Sequence, residues 1–85
     1  MGARTTVLLF ATAREAVGTR VLRWPLPPLG VSVGALVRDL GIRYPKLAPI
    51  LRQSRFVLNG RYVASRATRV RPGDEFAVHP PYGGG

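Results

Sequence analysis

The sequence predicts an α+β domain in which one main helix packs on one face of a mixed β-sheet. Three observations predict it. Two short apolar segments, Thr5–Ala11 and Arg20–Leu26, precede a segment with helical spacing at Val33, Leu36, Val37 and Leu40. Asn59-Gly60 separates two strand-like segments, and this pair tolerates the positive φ angles of a tight turn that matches strand twist. An alternating segment, Glu75–His79, follows the turn sequence Arg71-Pro72-Gly73-Asp74. Strands, a helix and more strands suit a sheet whose helix is segregated to one face.

Taken in order, Thr5–Ala11 reads as a strand with Val7, Leu9 and Ala11 on one side and Leu8 and Phe10 on the other. Residues 12–18 read as a connection that can include a helical turn. Arg20–Leu26 is expected to return antiparallel to the first strand, with Val21 inward and Leu22 or Trp24 as weaker inward candidates. Pro25, Pro27 and Pro28 end it. Ser32 suits a helix N-cap, with Val31 and Leu36 placed for a hydrophobic staple, and Pro45 ends the helix near Tyr44. Leu47, Ile50 and Leu51 suit a short further turn limited by Pro49. Arg55–Leu58 and Arg61–Ala64 form the arms of the Asn59-Gly60 hairpin. Residues 65–70 read as irregular. In Glu75–His79, Phe76 and Val78 face one way, Ala77 and His79 the other.

One helix leaves the second face of the sheet partly open. Leu8, Phe10, Tyr62, Ala77 and His79 are its candidates. They suit either a partner surface or side chains filling gaps at the sheet edge. Residues 1–79 read as one domain and residues 80–85 as an extended tail.

Composition narrows the chemistry. The chain has 85 residues, 46% of them hydrophobic, and no cysteine. Disulfides, thiolate metal sites and a cysteine nucleophile are excluded, and a reducing cytoplasm is the compartment it fits. The formal net charge is +9, and Lys46 is the lone lysine among 13 basic residues. This suits an acidic partner or nucleic acid. The arginines are scattered from Arg4 to Arg71, however, which equally suits a general bias toward arginine on a solvated surface. Residues 4–13 imitate a signal peptide only faintly, because the apolar run is too short. Met1-Gly2 with Thr6 meets the loose myristoylation pattern without a second membrane signal. No membrane association is expected.

One histidine and four carboxylates, Glu15, Asp39, Asp74 and Glu75, make a poor metal set. Asp74 and Glu75 are better explained as turn residues. No phosphate loop, dinucleotide fingerprint or nucleophile elbow is present. The unusual chemical handle is the ending, Pro80-Pro81-Tyr82-Gly83-Gly84-Gly85. The prolines hold the backbone extended, and the glycines remove side chains where a narrow space would exclude a Cβ. By composition alone, the same ending suits a frayed terminus. If it works, its handle is the Gly85 carboxylate, which an acyl-adenylate would activate and a sulfur nucleophile would convert to a thiocarboxylate. Six extended residues span roughly 20 Å, enough to reach a centre buried in a second protein.

The first strand with its connection (VLLFATAREAVG), the helix (SVGALVRDLGIRYP), the hairpin (VLNGRYV) and above all the ending (RPGDEFAVHPPYGGG) resemble the small subunits of molybdopterin synthase. These are sulfur carriers of the ubiquitin-like β-grasp superfamily. The thiazole-pathway sulfur carriers are similar, but usually shorter, and seldom carry the Pro-Pro. The resemblance runs over nearly the whole chain and implies a β-grasp fold. It also implies that a partner enzyme adenylates Gly85 with ATP and Mg²⁺, no cofactor being bound by this chain, and that a sulfurtransferase completes the thiocarboxylate. The sulfur would pass to cyclic pyranopterin monophosphate in a large-subunit partner, within a heterotetramer of two small and two large subunits. By this resemblance Gly85 carries the sulfur and Gly84 gives clearance beside it. Pro80 and Pro81 match the extended tail. Phe10 matches an outward aromatic of the first strand, Tyr62 stands where an exposed aliphatic residue is common, His79 where an apolar one is common, and Arg14 at a position that contacts partners. Gly83 stands where Ser, Thr or Ala is usual, Tyr82 where Val or Ile is usual, and many such carriers are acidic.

Two other readings remain at this level. Sulfur could go to tRNA thiolation, thiamine or cysteine synthesis, or the tail could serve protein conjugation. In a different class, the chain could be a basic nucleic-acid-binding module. Scattered arginines without a stacking platform count against the last.

Overall fold

The computed structural model describes residues 3–81. Its main sheet has five strands in the order β2-β1-β7-β4-β5. These are β1 (Arg4–Leu9), β2 (Val21–Pro25), β4 (Arg55–Leu58), β5 (Arg61–Tyr62) and β7 (Glu75–His79). Strand β7 lies at the centre, parallel to β1 and antiparallel to β4. The outer pairs, β1–β2 and β4–β5, are antiparallel hairpins. A mixed sheet with its helices on one face is therefore present, as expected.

The principal helix, α2 (Val33–Arg43), begins where its sequence says it should. The Ser32 hydroxyl accepts from the Ala35 N–H at 3.1 Å, satisfying one of the unpaired donors of the first turn. Val33, Leu36, Val37 and Leu40 are all buried. They meet the inward rows of the sheet, Leu22–Val7–Phe76–Leu58 and Leu9–Val78–Phe56. Full burial of one such side chain contributes about 1.5–3 kcal/mol, so this α2–sheet layer is the main source of stability. Phe56 and Phe76 stack within it, with centroids 5.3 Å apart.

Several expectations are corrected. Residues 12–17 hold more than a single helical turn, being part of a helix, α1 (Ala11–Val17). It buries only Ala13 completely, so its apolar signal was weak. Ala11 opens this helix with φ +51° instead of ending β1. Val21 points outward and is 44% exposed, while Leu22 and Trp24 pack against the core. The register explains this, because Val21 pairs with outward Leu8. Pro49 does not limit the second helical turn. It sits in the first turn of α3 (Ala48–Gln53), where its missing N–H leaves no bond unmade. A short 3₁₀ turn, Pro45–Leu47, leads into it. Within residues 65–70, Arg69–Val70 form β6, which pairs with β3 (Val31–Ser32) in a separate two-stranded ribbon.

At one end of the sheet, two turns are tied together. The Asn59-Gly60 turn has φ +49° and +84°, as its sequence predicts. Asn59 Nδ2 donates to Asp74 Oδ1 at 3.0 Å, and Asn59 Oδ1 accepts from the Glu75 N–H at 2.9 Å. Asp74 Oδ2 accepts from the Arg71 N–H at 2.7 Å. Asp74 is thus a turn residue and not half of a catalytic pair. Its carbonyl also takes the Thr5 hydroxyl at 2.6 Å and the Thr6 N–H at 3.0 Å.

Candidate functional site

The other end of the sheet carries the candidate site. Strand β7 is hydrogen-bonded on both edges and runs directly into Pro80 and Pro81. The tail therefore leaves from the centre of the sheet, rooted in its most constrained strand.

The face turned away from the helices is built by alternation. Partners in register share a face, so Val21, Leu8, Ala77, Val57 and Tyr62 form one row across all five strands. The row is apolar apart from the tyrosine hydroxyl. Ala77 is small and flanked on both sides, and is only 6% exposed; Tyr62, on the edge strand, is 71% exposed. One step toward the tail, Arg55 pairs with His79. The His79 ring stacks on Phe10, with centroids 4.5 Å apart and planes 12° from parallel. Phe10 is 42% exposed and caps α1, accepting from the Ala13 N–H at 3.0 Å.

The predicted residues converge, with one set apart. Tyr62, His79, Pro80 and Pro81 line a concavity at the root of the tail, and Phe10 joins them through His79. Arg14 lies one helical turn beyond Phe10, exposed on α1. Tyr82, Gly83, Gly84 and Gly85 lie outside the described residues. Gln53 and Arg55 also line the concavity and were missed, as were Val21 and Val57 in the apolar row. Arg55 was legible in principle. Phe56 must face inward, which turns Arg55 outward, and the antiparallel β4–β7 pairing sets it beside His79.

Charge at this end is not offset locally. Among the described residues the one ion pair is Arg38–Asp39, 3.4 Å apart on the surface, and such pairs contribute little. Also among the described residues, no group of three or more His, Asp or Glu side chains is placed to hold a metal ion, and no helix is long and apolar enough to cross a membrane.

Comparison with known proteins bears on what an apolar sheet face with a tail root beside it serves. Residues 7–85 match the profile of the ThiS family. The chain belongs to that family. Two curated relatives of this ThiS-family chain are named molybdopterin synthase sulfur carrier subunit. The one from Homo sapiens is 33% identical over 81 residues, covering 93% of this chain and 91% of the relative. The one from Dictyostelium discoideum is 30% identical over 80 residues, covering 93% of each. A similar fold is seen in the crystal structure of SAMP1 from Haloferax volcanii, a small archaeal modifier protein. It superposes with a TM-score of 0.80 at 26% identity, covering 96% of this chain and 99% of that one. The fold is the ubiquitin-like β-grasp, and the chain is a sulfur carrier of the ThiS type.

Proposed function

We propose that this chain supplies sulfur for molybdopterin, as a thiocarboxylate on Gly85, to cyclic pyranopterin monophosphate held by a larger partner subunit. The observation that carries the reading is the position of the tail. It leaves the central strand beside the apolar row Val21–Leu8–Ala77–Val57–Tyr62. A partner seated on that row meets the tail at its root, and the tail's length reaches inward from there. The names carried by the human and slime-mould relatives support the acceptor.

The chemistry is divided between chains. An adenylating partner, with ATP and Mg²⁺, joins the Gly85 carboxylate to AMP and releases pyrophosphate. A sulfide-level nucleophile from a sulfurtransferase then attacks the acyl carbon, AMP leaves, and the thiocarboxylate forms. Its sulfur then displaces an oxygen leaving group from a carbon of the pterin precursor, and water hydrolyses the resulting thioester, which returns the Gly85 carboxylate and leaves the sulfur on the pterin as a thiolate. This chain contributes the acyl group, the clearance at Gly84 and Gly83, the tail root at Pro80 and Pro81 with Tyr82 after it, and the docking face. Phe10, His79 and Tyr62 frame the base of that face, with Arg14 at its margin. The partner complex is a heterotetramer of two carriers and two large subunits, working in the cytoplasm.

The similarity to a small archaeal modifier protein favours one second reading, in which the same activated Gly85 is joined to an amine of another protein. One experiment separates the two. The chain is incubated with an adenylating enzyme that acts on carriers of this family, ATP and a sulfide source, and the intact mass is read. The expected gain equals exchange of one oxygen for one sulfur, and it is absent when Gly85 is deleted. Loaded carrier then converts the pterin precursor in the presence of a large subunit. No mass gain with a demonstrably active enzyme overturns the carrier chemistry. Loading without conversion, but with adducts to other proteins, selects the modifier reading.

A further inference from the structure

A second surface lies on the helical layer, on the side opposite the open sheet face. Between α2 and α3 runs a groove of about 290 Å³ with a largely apolar floor that includes Val37, Gly41 and Leu51. Gly41 allows the two helices to approach, since a Cβ there would come within 3.3 Å of the Ala48 Cβ. Ile42 stands at the groove and is 70% exposed. Nothing in the sulfur-carrier reading uses these residues.

The charge around the groove has one sign. Arg52 and Arg66 border it without an ion-pair partner among the described residues. Arg38 borders it too, bonded at 3.4 Å to Asp39, the only acid on α2. Arg66 is further held by Phe56, whose ring lies 5.5 Å from the guanidinium carbon. A partner must therefore bring apolar side chains for the floor and carboxylates for the rim.

We infer that this groove docks an acidic amphipathic helix from a partner protein. A helix fits where an extended strand does not, because the groove is walled by two helices and offers no strand edge for backbone pairing. Apolar side chains at successive turns occupy the floor, and flanking glutamates meet Arg52 and Arg66. A membrane fits less well, since the surface is concave and Ile42 is its one protruding apolar side chain. The groove stays open when the sheet face is covered, so a carrier docked through its sheet can be held at the same time by a second segment.

The test is a titration of the isotopically labelled full chain, followed through its amide NMR signals. The probe is a designed helical peptide with leucines on one face and glutamates beside them. A control peptide carries lysines in place of the glutamates. The glutamate peptide is expected to give saturable shifts at Gly41, Ile42, Ala48 and Leu51, while the lysine peptide gives none. Ile42→Asp and, separately, Arg52→Glu are each expected to weaken binding about tenfold. Both sites are exposed, and unchanged amide signals in the sheet verify the fold of each variant. Tyr62→Asp, on the sheet face, leaves the affinity unchanged. Absence of saturable shifts overturns the inference. So do equal binding of the lysine peptide, shifts centred on Leu8, Val57 and Tyr62, or groove signals lost with phosphatidylglycerol vesicles but not with the glutamate peptide.

Discussion

The imidazole of His79 lies on the ring of Phe10, with centroids 4.5 Å apart and planes 12° from parallel. The contact joins the last residue of the central strand to the residue that caps α1, and so fixes both at the root of the tail. Aromatic pairs of this geometry contribute about 0.5–1.5 kcal/mol beyond area burial. Phe10 is partly exposed, so the lower end applies. A double-mutant cycle of Phe10→Leu and His79→Ala, read by urea unfolding, is expected to show a coupling of about 0.5 kcal/mol. Strict additivity would mean that the stack contributes nothing to the fold.

At the opposite end of the sheet, Asn59 bonds both Asp74 and the Glu75 N–H. Asn59→Gly keeps the left-handed backbone and removes only these bonds. It should lower stability by about 1–2 kcal/mol. Asn59→Ala adds backbone strain and should lower it by about 1 kcal/mol more. Equal losses in the two variants would show that the turn conformation adds nothing beyond the side-chain bonds.

Gly30 and Gly60 both have positive φ, +79° and +84°, but their surroundings differ. A Cβ at Gly30 runs into the Val70 carbonyl, where β3 meets β6, whereas one at Gly60 meets nothing within 4 Å. Gly60→Ala is therefore expected to cost about 1 kcal/mol, the backbone term alone. Gly30→Ala should cost about 3 kcal/mol or more, because backbone must also shift. Thermal unfolding of the two variants ranks them, and the reverse order would contradict the packing described.

Ala11 begins α1 with φ +51°, a region that non-glycine residues enter at a cost of about 1–2 kcal/mol. Glycine in a helix normally destabilises by about 1 kcal/mol. Here Ala11→Gly should be neutral or stabilising by up to about 1 kcal/mol, since it relieves strain at the first helical position. A full helical glycine penalty in chemical denaturation would indicate that Ala11 is unstrained.

What could be read from the sequence was what local chemistry decides. Ser32 announces α2 because its hydroxyl serves a donor three residues away, and Asn59-Gly60 announces the hairpin because few pairs tolerate those φ angles. The place of Leu8, Ala77 and His79 on the open face followed from alternation in β1 and β7. The orientation of Val21 did not, since Val21, Leu22 and Trp24 are all apolar and only pairing with Leu8 decides which turn outward. The β3–β6 ribbon was hidden because two residues on each side carry no periodicity and their partners are distant in the chain. Arg55 escaped notice as part of the tail root because its neighbour there, His79, is reached across strands and not along the sequence.

The central position of β7 has a mechanical consequence. On the proposed reading, a partner that draws on the tail puts tension on Pro80, the residue that follows β7, and part of that tension acts along the strand. That strand is bonded to β1 on one side and to β4 on the other. The load falls on two ladders in shear, where the bonds resist together instead of opening one at a time. A pull on the tail root is thus resisted by the whole sheet and not by one hydrogen bond after another.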